Sequence, residues 1–101
     1  MKAEQLFTHK EEWVRKFAMF VQKYQEYSIS EIKEYAGVYV LFQKCSNLKK
    51  KNAPPHFKEK HRCGLIYFDY SNNEIVLIYD GHASCSFKTI EKACQTLQKF
   101  K

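Results

Sequence analysis

Glycine and proline are scarce in this sequence: its 101 residues include three glycines and two prolines. Long apolar runs are absent as well, and none approaches the roughly 18 residues that a membrane-spanning helix needs. With 45% hydrophobic and 16% aromatic residues, the chain has enough apolar side chains to form a core, which excludes wholesale disorder. A chain of this length is expected to form one domain, residues 1–101.

Paired C-x-x-C motifs are also missing, although there are four cysteines: Cys45, Cys63, Cys85 and Cys94. Cys94 falls on the apolar face of a predicted helix and Cys45 at the end of an apolar strand. Residues 1–5 contain no apolar segment of the kind that precedes a signal cleavage site. We therefore expect reduced, mostly buried thiols in a cytoplasmic protein.

Four residues have side chains of the types that bind zinc: Cys45, His56, His61 and Cys63. Their spacing matches no compact zinc knuckle, and the lysines between them would oppose the binding of a dication. The expectation is therefore that the protein holds no metal and no other cofactor.

Positive charge is concentrated in one segment. The chain has 17 Lys+Arg against 11 Asp+Glu, a formal net charge of +6. From Lys44 to Arg62 there are seven basic residues and one acid, Glu59, so this segment accounts for the whole +6 and the rest is neutral. A neutral domain with one basic loop, residues 45–63, indicates an anionic partner: nucleic acid, anionic lipid or an acidic protein.

Two amphipathic helices are predicted, one near each end of the chain. The first begins at a capping box, Thr8–Glu11, and runs from about His9 to Tyr27. Residues 28–34 are expected to form a short second helical turn. The last helix has Ser86 as its N-cap, and its apolar residues recur at spacings of three and four: Phe87, Ile90, Cys94, Leu97 and Phe100.

Three strands are predicted between the helices. Residues 38–42 are a β-branched and aromatic run, and residues 65–70 and 74–79 form a hairpin. Residues 46–62 are too polar for a core and are interpreted as a loop. The sequence thus predicts an α+β fold, α-β-β-β-α, with a three-stranded antiparallel sheet and two helices packed on one of its faces.

The predicted strands are apolar on both faces. Tyr39 and Leu41 point one way and their neighbours the other, although an exposed sheet face normally carries polar side chains. The face without helices would be covered by a partner protein, a stacked nucleic-acid base or residues 29–35 folding back. We favour an interaction surface, with Tyr39, Leu41 and Tyr67 at a partner interface.

Four residues are candidates for catalysis: Asp69, Asp80, His82 and Lys88. Phosphodiester hydrolysis needs a general base near a cation or a second acid, and no two of these groups stand at a spacing that indicates such a pair. The sequence therefore predicts a binding protein and no enzyme. A small basic ribonuclease, such as a toxin, is one alternative, and a module whose basic loop binds an acidic protein is another.

RNA is the favoured partner of the basic loop, because lysines suit phosphate binding and no recognition-helix motif for the DNA major groove is apparent. Residues 37–44, 62–67 and 88–93 resemble segments of the signal recognition particle Alu-domain proteins. These are small α-β-β-β-α proteins. The first two segments are similar to the fourteen-kilodalton subunit, and the third is similar to the final helix of the nine-kilodalton subunit.

The resemblance implies a heterodimer with the other small Alu-domain subunit, bound to the particle's RNA. It also implies contact with the ribosome through the particle, elongation arrest during targeting to the endoplasmic reticulum, and no membrane insertion. The candidate RNA-binding residues are Lys44, Lys49, Lys50, Lys51, Lys58, Lys60, His61 and Arg62.

The double-stranded-RNA-binding domain has the same element order and is a further alternative. Residues 53–56 are faintly similar to its minor-groove loop. That domain needs a lysine pair at the start of its last helix, whereas residues 86–89 contain one lysine.

Overall fold

The computed structural model describes residues 2–24, 26–46 and 60–100. After a short 3-10 helix, Ala3–Leu6, the elements are α1 (Glu12–Lys23), β1 (Tyr27–Lys33), β2 (Tyr39–Ser46), β3 (Lys60–Asp69), β4 (Glu74–Tyr79), β5 (Cys85–Phe87) and α2 (Ile90–Lys99). The strands form one antiparallel sheet in the order β1-β2-β3-β4-β5.

The α+β class is confirmed, and the three-stranded sheet is wrong in detail. The three predicted strands are the central ones, β2, β3 and β4, and a further strand lies at each edge. Residues 28–34, predicted as a helical turn, fall largely within β1. Ser86, predicted as a helix cap, lies in β5, and α2 is instead capped by Thr89, whose Oγ1 accepts a hydrogen bond from the Lys92 amide at 3.3 Å.

The predicted capping box of α1 is also wrong. The N-cap is Glu11 and has no side-chain cap. The His9 ring lies just before the helix: its Nδ1 accepts a hydrogen bond from the amide of Glu11 at 3.0 Å, and its Nε2 lies 2.6 Å from Oε1 of Glu34. The helix ends at Lys23, four residues earlier than predicted, because Tyr24 has an extended backbone.

Both helices pack on one face of the sheet, as predicted. Their buried residues are Trp13, Val14, Phe17, Ala18 and Val21 of α1 and Ile90, Ala93 and Leu97 of α2. They contact alternate strand residues, including Val40, Phe42, Ile66, Ile75, Leu77 and Tyr79. The Phe17 and Phe42 rings meet edge to face at the centre of this core, 5.2 Å apart.

Gly64 makes room for Phe42. The two residues pair across β2 and β3, and a Cβ atom on Gly64 would lie 2.4 Å from Cζ of the Phe42 ring. A side chain at position 64 would therefore displace a phenyl ring that is 1% exposed.

Candidate nucleic-acid interface

The sheet face opposite the helices is apolar at its centre. Cross-strand pairing puts the following residues on this face: Tyr39, Leu41, Leu65, Tyr67, Val76 and Ile78. None of them belongs to the core that the helices form with the sheet. We call these six residues the open face.

The open face includes the three predicted partner-interface residues, Tyr39, Leu41 and Tyr67. The Tyr39 and Tyr67 rings are 5.2 Å apart, and Ile78 is 41% exposed. A shallow depression of about 520 Å³ lies beside Leu41, Leu65 and Ile78. Residues 29–33 do not fold over this face; they pair with β2 and form the edge of the sheet.

The basic segment leaves β2 and enters β3 at one end of the sheet, which we call the loop end. The last described pairs there are Lys44 with Arg62, Cys45 with His61, and Ser46 with Lys60. Four of the predicted RNA-binding residues, Lys49, Lys50, Lys51 and Lys58, lie outside the described residues, as does His56 of the zinc alternative.

Lys44 and Arg62 lie on the helix side of the sheet at the loop end, and both are half-buried. The Lys44 Nζ donates a hydrogen bond to the carbonyl oxygen of Phe100 at 3.2 Å and lies 5.3 Å from the centre of the Tyr27 ring. The Arg62 guanidinium lies beside Gly81, since a Cβ atom at Gly81 would be 3.7 Å from Nη1. Both cations are therefore packed against other residues at the loop end of the sheet.

Three aromatic side chains meet next to these cations, and sequence analysis did not identify them as a group. The rings of His82 and Phe100 stack at 3.9 Å with 13° between their planes. Tyr79 lies beside both, 5.7 Å from His82 and 5.6 Å from Phe100. We call Lys44, Arg62, Tyr79, His82 and Phe100 the end cluster.

The turn after β4 places His82 in this cluster. The Asp80 amide donates to the carbonyl oxygen of Cys63, and the His82 amide donates to that of Tyr79, each at 3.0 Å. Gly81 has a φ of 82°, a conformation that favours glycine. Residues 80–82 thus form the turn that follows β4, and nothing in their sequence indicated that Phe100 would lie against the imidazole.

Tyr79 is the buried member of the cluster. Its side chain is 2% exposed, and its hydroxyl has no hydrogen-bond partner among the described residues. Burial raises the pKa of Tyr79, while the Arg62 charge opposes that increase. The hydroxyl is therefore neutral. The buried Tyr79 ring packs against the more exposed rings of His82 and Phe100 from the core side.

The four catalytic candidates do not converge on one site. Asp69 holds the β3–β4 turn, accepting a hydrogen bond from the Ser71 amide at 3.0 Å. The Nζ atom of Lys88 lies 3.2 Å from Oε1 of Glu74, which is at the start of β4. Asp80 and His82 follow the other end of that strand, and both are exposed.

The thiols are less buried than predicted. Cys63 is exposed and Cys85 and Cys94 are half-buried, and all three are free cysteines. Burial raises the pKa of the Cys94 thiol to about 12, so this thiol is neutral at physiological pH. Among the residues with described placement, no three His, Cys, Asp or Glu side chains come together as metal ligands.

Comparison with known proteins gives no match among protein-family models, curated proteins or solved structures. Within the described ranges, no helix is long and apolar enough to cross a membrane.

Proposed function

We propose that this protein is an RNA-binding subunit that contacts RNA phosphates through the segment from Lys44 to Arg62 and a second protein chain through the open face. One observation carries the proposal: the whole net charge belongs to a segment joined to one end of a sheet whose helix-free face is apolar. An enzymatic step forms no part of this function.

The charge supports RNA binding for a physical reason. Each lysine that meets a phosphate releases condensed counterions, and this release supplies much of the binding free energy without reading the base sequence. The remaining residues of the chain carry equal numbers of positive and negative charges. Attraction to an RNA backbone would therefore be directed to the loop end.

The open face supports a protein partner. Its side chains are larger and more apolar than those of a solvated antiparallel sheet face, and apolar patches of several hundred Å² usually mark interaction sites. Tyr39 and Leu41 on β2 and Tyr67 on the adjacent β3 would form the contact.

The particular assembly that we propose is the Alu domain of the signal recognition particle, with the protein acting as one half of a heterodimer on the particle's RNA in the cytoplasm. The segments that resemble this family fall at the start of β2, within β3 and at the start of α2. In that assembly the protein would support elongation arrest on the ribosome. In such a protein, the edge strands β1 and β5 would be additions to the family's three-stranded pattern.

Purification of the full chain from its native host, with sequencing of bound RNA and identification of bound proteins, tests this proposal. We expect signal recognition particle RNA and a second protein of similar size. A different RNA would reject the particular assembly alone, whereas purification without RNA would reject the RNA-binding function.

Incubation of the pure protein with RNA provides a separate test: cleavage that is lost in Asp80→Ala or His82→Ala would show a ribonuclease and overturn the proposal.

A further inference from the structure

The His82 ring is held flat against Phe100 at the surface. The ring centres are 3.9 Å apart with nearly parallel planes, and Tyr79 supports both rings from the core. His82 is nevertheless exposed. Because Phe100 covers one side of the imidazole, the exposure falls on the rest of the ring, which is a fixed aromatic surface at the loop end.

Charge alone does not make the end cluster a phosphate site. Lys44 and Arg62 contribute two cations, but Glu26 and Asp80 act on the same group of side chains, since both carboxylates raise the pKa of Tyr79. These carboxylates offset part of the attraction that the two cations exert on an anion. What this end of the sheet offers is therefore a supported ring, with cations beside it.

An unpaired base fits such a surface. Bases that are free of a helix stack on His, Phe, Tyr or Trp side chains, and each stacked base contributes about 1–3 kcal/mol to binding. A base inside a duplex is covered on both faces by its neighbours, so it cannot stack on a protein ring without being extruded. A ring at the surface therefore selects single-stranded segments.

We propose that the exposed face of His82 is a stacking site for one unpaired base of RNA, with Phe100 and Tyr79 as the support of the ring and Lys44 and Arg62 beside the neighbouring backbone. This inference rests on the proposed RNA-binding function and deepens it, because it names single-stranded RNA as the ligand at the loop end.

The test uses the full-length protein and a short single-stranded RNA that carries one 2-aminopurine, whose fluorescence falls when it stacks. The corresponding duplex is measured in parallel. We expect the wild type to bind the single strand more tightly and to quench the probe. His82→Ala should lose the quenching and roughly 5- to 150-fold in affinity, whereas His82→Phe should retain both because it keeps a flat ring.

Tyr35→Ala is the matched control, since it removes a ring that is 87% exposed in the connection at the opposite end of β2. It should bind as the wild type does. Thermal unfolding of each variant shows whether the protein remains folded. If His82→Ala unfolds, quenching by the wild type and by His82→Phe still shows whether a base stacks on the ring at position 82.

Three results would overturn the inference: unchanged binding by His82→Ala, loss of binding in His82→Phe as well, or equal affinity for the duplex without quenching. These outcomes leave the proposed RNA-binding function intact. A wild-type protein that binds neither RNA would reject both proposals.

Discussion

The Nζ atom of Lys44 lies 3.2 Å from the carbonyl oxygen of Phe100 and donates a hydrogen bond to it. Phe100 is the C-cap of α2, so a cation on β2 satisfies a carbonyl group at the negative end of the helix. The same ammonium group lies over the Tyr27 ring. One side chain thus joins β1, β2 and α2 at the loop end.

Lys44→Met keeps most of the aliphatic stem and removes the donor and the charge. We expect the free energy of unfolding to fall by about 1–2 kcal/mol, because a charged hydrogen bond at a helix terminus is lost. Urea denaturation measures the change. Lys10→Met, at an exposed position, should change stability by less than about 0.5 kcal/mol; equal effects would show that the Phe100 contact contributes nothing.

Gly64→Ala should be destabilising because its Cβ atom would lie 2.4 Å from the Phe42 ring. Overpacking of this kind costs about 1–3 kcal/mol. Phe42→Leu shortens the obstructing side chain, so the double variant should be more stable than the sum of the two single effects predicts. Additive losses in urea denaturation would contradict the close approach of the two residues.

Replacement of Lys49, Lys50 and Lys51 by alanine should weaken RNA binding and reduce its salt dependence. Each lost phosphate contact lowers the slope of log affinity against log salt by about 0.9 for a duplex or about 0.7 for a single strand. The charge-matched control replaces three exposed lysines, Lys88, Lys92 and Lys99. An unchanged slope in the loop variant would exclude these lysines from the RNA contact.

Leu41→Glu introduces a charge on the open face, opposite Leu65. A buried carboxylate without a partner is costly, so the second protein should no longer co-purify, while circular dichroism remains that of the wild type. Met19→Glu is the control, because Met19 is 54% exposed on a helix. Retention of the same protein by Leu41→Glu would place the contact elsewhere.

Stability should decline in alkaline solution. Burial raises the pKa of Cys94 from 9.0 to about 12 and also raises the pKa values of Tyr27 and Tyr79. Between about pH 9 and pH 12 the unfolded chain has lost the Cys94 proton that the folded chain retains, so the free energy of unfolding falls as the pH rises. Below about pH 9 this group has no effect.

Cys94→Ala removes that contribution. Urea denaturation at several pH values up to about 11 should show a shallower decline in this variant than in the wild type. Parallel curves would mean that the thiol ionises equally in both states.

Much of the fold could be predicted from local patterns of apolar and polar residues. The prediction of a helical turn at residues 28–34 was wrong because one inserted residue changes the spacing in β1. The hairpin of β3 and β4 follows from apolar runs around a polar turn. In β1, the pairing shifts between Ile29 and Glu31, which leaves Ser30 as a bulge. Ile29 and Ile32 consequently stand three residues apart on the same face, a spacing that sequence reasoning attributes to a helix.

The candidate site likewise contains residues that could be identified from the sequence and residues that could not. Lys44 and Arg62 were identified because their charge is local in sequence. The His82–Phe100 contact joins residues 18 apart, and it depends on where α2 ends against the sheet. No periodicity within the turn after β4 or within α2 indicates that His82 and Phe100 are in contact.

The bulge at Ser30 has a consequence for the molecule as a whole. An edge strand with regularly spaced amide and carbonyl groups is a template on which further chains add one after another, and a bulge interrupts that spacing. β1 is the longer of the two edge strands, since β5 has three residues. The interruption in β1 therefore opposes the addition of further chains at the longer edge of the sheet, which favours a protein that does not polymerise into fibres.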